Sequence, residues 1–206
     1  MATRRKRVTP PKKRGNLLRD YGEAIFVAAA IFLFLRSFVV QAYQIPSGSM
    51  EDTLLVGDFL VANKFLYGAR IPGTEVRLPE VRPPARGDII VFRAPHKDAN
   101  FIKRCVAVGG DTVEVRDNRL YLNGEPRDET YIALKGTGSP YRNWGPQVVP
   151  EEYLLMLGDN RNFSDDSRHW GFLHRDRVEG SAMFLYFSWD RTKTMPRFKR
   201  FFRGIH

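Results

Sequence analysis

Residues 101–122 read FIKRCVAVGGDTVEVRDNRLYL, and this stretch decides the fold class. Short runs rich in Val, Ile, Phe and Tyr follow one another without a helical period, and turn residues separate them. The pattern predicts β-strands over Phe101–Val108, Thr112–Arg116 and Leu120–Leu122. The Asp117-Asn118 pair between the last two runs is typical of a tight hairpin turn.

The same pattern continues along the chain after Gln41. Four further runs are strand candidates: Phe59–Asn63, Asp88–Arg93, Tyr153–Leu157 and Ser181–Trp189. Asn123-Gly124 is a second turn signal. Pro and Gly punctuate Gly68–Pro84 and Gly136–Pro150, which we expect to be loops or part of an inserted lobe. The sequence therefore predicts an all-β body over residues 41–190, a large β-sheet domain with an inserted smaller β lobe at about residues 106–157.

Upstream of this body, residues 22–40 read GEAIFVAAAIFLFLRSFVV, with charges only at Glu23 and Arg36. A helix of this length spans roughly 28 Å, about the thickness of a bilayer core. A cleaved secretory signal would have a shorter apolar core and a small-residue cleavage site, for which Val39–Tyr43 is a poor candidate. A buried core helix is the other alternative, and the flanking charges favour an anchor. One N-terminal transmembrane helix is predicted.

The chain has 206 residues and a formal net charge of +10, and the charge is concentrated at its two ends. Residues 1–20 carry eight basic residues and one acid, and residues 191–206 carry six basic residues and no acid. The body between them is mildly acidic, which disfavours nucleic-acid binding. By the positive-inside rule, residues 1–21 form a basic cytoplasmic tail and the body lies on the other side of the membrane.

The basic aromatic C-terminal tail, residues 191–206, contains RFKRFFR at Arg197–Arg203. Cations interleaved with three Phe suit contact with a membrane surface, and a solvated tail is the alternative. A single cysteine excludes an intramolecular disulfide, and the four histidines lack the spacing of a metal site. A reaction without a metal or another cofactor is therefore expected.

Two clusters suggest a nucleophile and its base. Ile45–Met50 reads IPSGSM, in which small residues leave room for a peptide backbone, although Ser-Gly-Ser is also a common turn. A serine needs a base to become a nucleophile, and the histidines are poorly placed. Phe101–Val106 instead offers Lys103 between apolar neighbours. Burial would lower the pKa of this lysine so that it acts as a neutral base, whereas an edge-strand lysine facing water is the alternative.

The third cluster, Gly158–Gly171, reads GDNRNFSDDSRHWG and is unusually rich in polar groups. The spacing of an EF-hand calcium loop is absent. We expect two acids to pair with two guanidinium groups, Asp159 and Asp166 with Arg104 and Arg168. Ser164 can then orient a neutral lysine amine.

These clusters, together with the strand Arg86–Phe92 (RGDIIVF), resemble the bacterial type I signal peptidases, or leader peptidases, from the anchor to about Asp190. The resemblance implies a β-sheet catalytic domain in which Ser49 is the nucleophile and Lys103 its general base. It implies that Ser47 and the Ser49 N–H stabilise the oxyanion and that Ser164 orients the lysine. It implies structural roles for four polar residues, Arg104, Asp159, Asp166 and Arg168. It also implies a substrate pocket lined by Ile45, Met50, Leu54, Phe101 and Ile102.

The resemblance further implies a membrane-bound serine endopeptidase that removes N-terminal signal peptides from exported preproteins after an Ala-x-Ala-like site, through an acyl-enzyme. The implied partners are these signal peptides, membrane lipid and, in proximity, the secretion translocon. The implied location is the bacterial inner membrane, crossed once. A specialised pilin or conjugation-type peptidase and a membrane-anchored, inactive β binding module are the alternatives. Glu51-Asp52 departs from the family pattern, which usually has a proline two residues after Met50.

Overall fold

A computed structural model describes residues 17–71, 73–74 and 76–205. Most of the predicted basic N-terminal tail, residues 1–16, lies outside this range. The chain forms two compact units, which divide between Leu35 and Arg36.

The first unit contains helix α1, Leu17–Phe34, which a π-helical segment, Leu35–Val39, follows in the chain. The helix begins five residues before the predicted anchor at Gly22. By length and composition, Arg19–Val39 is apolar enough to cross a membrane. Every residue from Arg19 to Arg36 is exposed, so the part of the chain that the structure describes provides no core for these apolar side chains. A lipid environment would cover them.

The second unit consists mainly of short β-strands. In chain order they are β1 (Val40–Gln44), β2 (Asp58–Asn63), β3 (Ile89–Arg93), β4 (Asn100–Val108), β5 (Thr112–Arg116), β6 (Arg119–Leu122), β7 (Glu125–Pro126), β8 (Trp144–Val148), β9 (Tyr153–Leu157), β10 (Leu173–His174), β11 (Val178–Asp190), β12 (Met195–Pro196) and β13 (Arg203–Gly204). A short helix, α2 (Ser167–Trp170), lies between β9 and β10. The predicted all-β body is confirmed.

A nine-stranded antiparallel sheet has the order β1-β2-β11-β3-β4-β9-β10, with β12 and β13 also paired to β11. The long strand β11 lies between β2 and β3. In β2 the buried residues Asp58, Leu60 and Ala62 alternate with partly buried ones, as the two-residue period of a strand requires. This alternation places one face of the sheet against the core that contains Leu60 and Ala62.

The smaller sheet, in the order β7-β6-β5-β8, is inserted in the chain between β4 and β9. Its β5–β6 hairpin turns at Asp117 and Asn118, whose φ angles of 48° and 66° match the predicted tight turn. Since β4 and β9 pair in the large sheet, the inserted lobe covers residues 109–152 and not 106–157. Of the two alternatives given for residues 136–150, a loop or part of the inserted lobe, the structure shows the lobe at β8, which pairs with β5.

The C-terminal residues through Ile205 are not a separate tail, contrary to the prediction for 191–206. β12 and β13 extend the large sheet, and the buried Arg200 donates to both carboxylate oxygens of Asp58, at 3.1 and 2.6 Å. Phe198 and Phe202 are nevertheless exposed. Local composition cannot predict this docking because the acid that holds Arg200 is 142 residues away in sequence.

Candidate active site

Three segments that are far apart in the sequence line one cavity of about 550 Å³. They are the turn after β1, from Ile45 to Ser49, the first four residues of β4, Asn100–Lys103, and the loop after β9, from Asn162 to Asp165. The cavity therefore gathers residues from all three clusters identified in the sequence.

Ser49 and Lys103 contact each other directly in this cavity. The Nζ of Lys103 donates a hydrogen bond to the Oγ of Ser49 at 2.6 Å, and the two residues are only 4% and 6% exposed, respectively. Burial lowers the pKa of Lys103 from 10.5 to about 8, although the carboxylates of Asp166, Asp165 and Asp159 act in the opposite direction. Above pH 8 the amine is therefore mostly neutral and can accept the proton of the serine hydroxyl.

Ser47 lies beside this pair. Its Oγ is 3.5 Å from the Oγ of Ser49, and its exposed side chain lines the same cavity. The backbone N–H of Ser49 donates to no acceptor among the described residues. The N–H of Glu51, by contrast, donates to the Gly48 carbonyl at 3.1 Å and forms a turn. An N–H and a hydroxyl that lie beside a nucleophile are the groups that an oxyanion site requires.

Ser164 does not make the hydrogen bond that was predicted for it. Its Oγ is buried without a hydrogen-bond partner, and no bond joins it to Lys103. The hydroxyl packs closely over Gly158, where an added Cβ would lie 2.2 Å from it. The geometry of the loop thus places Ser164 in the cavity wall but points its hydroxyl at the glycine instead of the amine.

We expect Ser164→Ala to reduce kcat/KM by about 10- to 100-fold without lowering the melting temperature. A buried hydroxyl without a partner does not stabilise the fold, so its removal is neutral or slightly stabilising. The hydroxyl of Ser164 would act by turning toward the Lys103 amine when substrate binds. Without it the amine is less well positioned, and a small misplacement of a reacting group lowers the rate strongly. Ser167→Ala is the matched control, since its Oγ accepts the buried N–H of Met156 at 2.9 Å. That control should lower the melting temperature. Full activity in Ser164→Ala would exclude an orienting role.

The polar frame around the site contains both of the expected ion pairs. Arg104 donates to the two oxygens of Asp159 at 2.9 and 2.7 Å, and Arg168 donates to those of Asp166 at 2.9 Å each. Asp166 also accepts the N–H of Gly158 at 3.1 Å and caps helix α2. The Arg104–Asp159 pair holds the loop after β9 against the middle of β4, and the bonds of Asp166 hold that loop together internally.

Three of the five apolar residues that were predicted to line a substrate pocket lie at this cavity. Ile45, Phe101 and Ile102 line the cavity. Met50 and Leu54 do not, because both are completely buried in the core. The N–H of Leu54 bonds to the carbonyl of Met50 at 2.7 Å, and the resulting turn directs both side chains inward.

Sequence reasoning missed several residues that hold the site together. Asn160 bonds to the backbone on both sides of the Gly48–Ser49 peptide bond. Arg161 forms a buried ion pair with Glu129 at 2.6 Å. Lys135 pairs with both Glu51 and Asp52, the acids that depart from the family pattern. The polar density of Gly158–Gly171 was the only signal for the first two residues, and it did not identify their partners.

At the cavity wall, the carboxylate of Asp165 contacts His96, Lys97 and His169 at 3.0, 2.8 and 3.1 Å. Within residues 17–71, 73–74 and 76–205, no group of three His, Cys, Asp or Glu side chains is arranged to hold a metal ion.

Comparison with known proteins places this site in a family. A family profile described as signal peptidase, peptidase S26, matches residues 18–189. The chain belongs to the signal peptidase family. The signal peptidase I of Pseudomonas fluorescens is 37% identical, with 89% of this chain and 78% of that protein covered. The signal peptidase I of Leptolyngbya laminosa is also 37% identical, with 88% of this chain and 85% of that protein covered.

A crystal structure of a signal peptidase I from Enterococcus faecalis is 33% identical, covers 50% of this chain and 98% of its own, and gives a TM-score of 0.42. As a member of the signal peptidase family, the chain is a serine peptidase and therefore a hydrolase.

Proposed function

We propose that Ser49 and Lys103 are the nucleophile and general base with which this peptidase removes signal peptides from exported preproteins. The observation that carries the proposal is the 2.6 Å hydrogen bond between Lys103 Nζ and Ser49 Oγ, with both groups buried in the cavity. No histidine contacts Ser49 among the described residues, so the lysine is the base within reach.

The reaction is acyl transfer. Neutral Lys103 takes the proton of Ser49 as its Oγ attacks the scissile carbonyl, and the negative oxygen is stabilised by the Ser49 N–H and the hydroxyl of Ser47. The protonated lysine then gives its proton to the departing amine. Lys103 then deprotonates a water molecule, whose oxygen attacks the acyl carbonyl; the bond to Oγ breaks, and Lys103 returns the proton to Ser49.

Two open strand edges can hold the substrate in an extended form. Among the described residues, β1 pairs only with β2, and β4 pairs with β9 only from Arg104 onward. One edge of β1 and one edge of Asn100–Lys103 are therefore unpaired. Gln44 and Asn100 both line the cavity, which a peptide can enter as an added strand. Ile45, Phe101 and Ile102 supply an apolar lining that suits the small side chains of an Ala-x-Ala site.

The proposal places the catalytic unit outside the cytoplasm, anchored in the bacterial inner membrane by the helix of residues 19–39 with the N-terminus inside. Support comes from the exposed apolar surface of that helix and from the basic residues that precede it. Membrane lipid and, in proximity, the secretion translocon are the proposed surroundings. A specialised pilin or conjugation-type peptidase would use the same pair of residues on another set of substrates.

Cleavage of a preprotein with an Ala-x-Ala junction by the detergent-solubilised chain tests this proposal. We expect mass spectrometry to show one cut after the last Ala, and Ser49→Ala to reduce the rate by about 10⁴-fold or more, because the acyl-enzyme cannot form. Ser139→Ala is the matched control: its Oγ accepts the Tyr141 N–H in a loop of the lobe. A wild-type chain that does not cut, or an equally active Ser49→Ala, would favour the inactive binding module.

A further inference from the structure

The side chain of Asn160 and its backbone contact the two carbonyl groups nearest to the nucleophile. Its Nδ2 donates to the Gly48 carbonyl at 3.3 Å, and its backbone N–H donates to the Ser49 carbonyl at 3.1 Å. Asn160 is 1% exposed and lies outside the cavity lining. It therefore contacts the nucleophile turn from the protein side.

The bond to Gly48 also controls the direction of the Ser49 N–H. The carbonyl of Gly48 and the N–H of Ser49 belong to one planar trans peptide unit, so they point in opposite directions. A donor that holds this carbonyl on the protein side turns the Ser49 N–H away from itself. A carbonyl that accepts a hydrogen bond also makes the N–H of the same unit a stronger donor.

The orientation of the Asn160 amide is itself fixed. Its Oδ1 accepts the backbone N–H of Lys135 at 3.1 Å, which leaves Nδ2 to face the Gly48 carbonyl. The side chain of Lys135 meanwhile pairs with Glu51 and Asp52, which follow Ser49 after one intervening residue, Met50. The lobe segment at Lys135 thus supports the turn through two independent contacts.

The turn has other supports, so Asn160 is not needed merely to form it. The hydroxyl of Thr53 donates to Asp159 at 2.6 Å, and the Leu54 N–H bonds to the Met50 carbonyl. We propose that Asn160 is a positioning residue that aims the Ser49 N–H at the oxyanion of the reaction; this inference rests on the proposed role of Ser49. Its effect belongs to the transition state, in which the oxyanion exists, and not to substrate binding.

Two variants separate the donor from the rest of the side chain. Asn160→Asp keeps an oxygen for the Lys135 N–H and loses the Nδ2 donor, and Asn160→Ala loses both. Asn143→Ala is the matched control, because its Oδ1 accepts the Asp117 N–H at 2.9 Å in the small sheet, away from the cavity. Rates are measured at the pH plateau of each variant, so that a change in the protonation of Lys103 does not contribute.

We expect both Asn160 variants to lower kcat by about 10- to 100-fold and to change KM by less than about threefold. This loss of kcat is smaller than the loss expected when a whole oxyanion donor is removed. A substrate-like peptide aldehyde adds to the Ser49 hydroxyl as a hemiacetal, whose oxygen occupies the oxyanion position. Its inhibition constant should rise by the same factor as kcat/KM falls. The matching peptide alcohol, which forms no such adduct, should bind as it does to the wild type.

The inference is overturned if kcat is retained in either variant, or if kcat falls while the aldehyde keeps its affinity. Equal weakening of aldehyde and alcohol would also overturn it, because that result indicates a general loss of the pocket. If Asn160→Ala does not fold, Asn160→Asp with its retained Lys135 contact decides the question alone, and if it also fails to fold the residue is structural. A wild-type chain that neither cuts nor binds the aldehyde refutes the proposed function instead.

Discussion

Replacing Lys103 by methionine is expected to lower kcat/KM by at least about 10³-fold and to raise the free energy of unfolding at pH 7 by about 1–3 kcal/mol. The reaction loses its proton acceptor, because the amine contacts Ser49 at 2.6 Å. The variant is more stable because it no longer buries a charged amine. The lowering of the Lys103 pKa by burial from 10.5 to about 8 corresponds to a free-energy cost of roughly 3 kcal/mol for the charged form. Methionine keeps an apolar side chain of similar length in the same place.

The stabilising effect of Lys103→Met should decrease as the pH rises. Below pH 8, Lys103 is protonated in both the folded and the unfolded chain, and the wild type bears the whole penalty. As the pH rises from 8 to 10.5, the folded chain releases this proton before the unfolded chain does, so wild-type stability increases. The advantage of the methionine variant therefore shrinks over that interval. Wild-type kcat/KM should fall about tenfold for each pH unit below the pKa of the lysine.

Thermal unfolding of the full chain in one detergent, followed by circular dichroism at pH 7 and pH 10, measures the stability difference. Lys193→Met is the control, because this exposed lysine lies in the turn after β11 and its charge is already hydrated. It should change neither the stability nor its pH dependence. A Lys103→Met variant that is less stable at pH 7, or a wild-type activity that stays level below pH 8, would remove Lys103 from the role of a desolvated base.

The second large effect is expected at Glu129, where replacement by methionine should lower the free energy of unfolding by about 3–5 kcal/mol. Its carboxylate accepts from Arg161 at 2.6 Å, and the two side chains are only 3% and 1% exposed. Without Glu129 the guanidinium of Arg161 stays buried with no opposite charge. Arg161 also donates to the Gly158 carbonyl at 3.2 Å, so its displacement should disorder the loop after β9. We therefore expect the activity to fall together with the stability.

A double-mutant cycle with Arg161→Met checks this explanation. The double variant should be more stable than either single variant, since neither charge is then left unpaired. Glu114→Met is the control, because its ion pair with Arg116 is equally short at 2.6 Å but its side chains are 23% and 59% exposed. That change should cost far less stability than the change at Glu129, because water already hydrates this pair. Additive losses in the double variant would show that the two charges do not depend on each other.

The strands that the sequence predicted are those with a regular pattern of apolar residues. Phe101–Val108 and Thr112–Arg116 correspond closely to β4 and β5. β1 was missed because its five residues, VQAYQ, directly follow the anchor and are too few to show an apolar pattern of their own. β8 was missed because Gly145-Pro146 reads as a turn. Its strand conformation depends on pairing with β5, about thirty residues earlier in the sequence.

The candidate site was predictable where the chemistry lies in side-chain types. A serine, a lysine between apolar residues, and acids that match arginines can be identified without coordinates. Met50 and Leu54 were misplaced because sequence proximity to Ser49 does not tell which way a turn directs its side chains. Asn160 was missed for another reason: its partners are backbone carbonyls, which every residue carries and which no sequence pattern distinguishes.

The insertion of the small sheet between β4 and β9 has an evolutionary consequence. These two strands pair directly, with Val108 opposite Leu154, so the register that fixes Lys103 does not depend on the length of the lobe between them. Lineages can therefore change the length of the lobe while the pairing of β4 with β9, and with it the position of Lys103, is retained. The same freedom does not extend to the segment around Lys135, because its backbone bonds to Asn160. Divergence within this lobe should therefore be slow around Lys135.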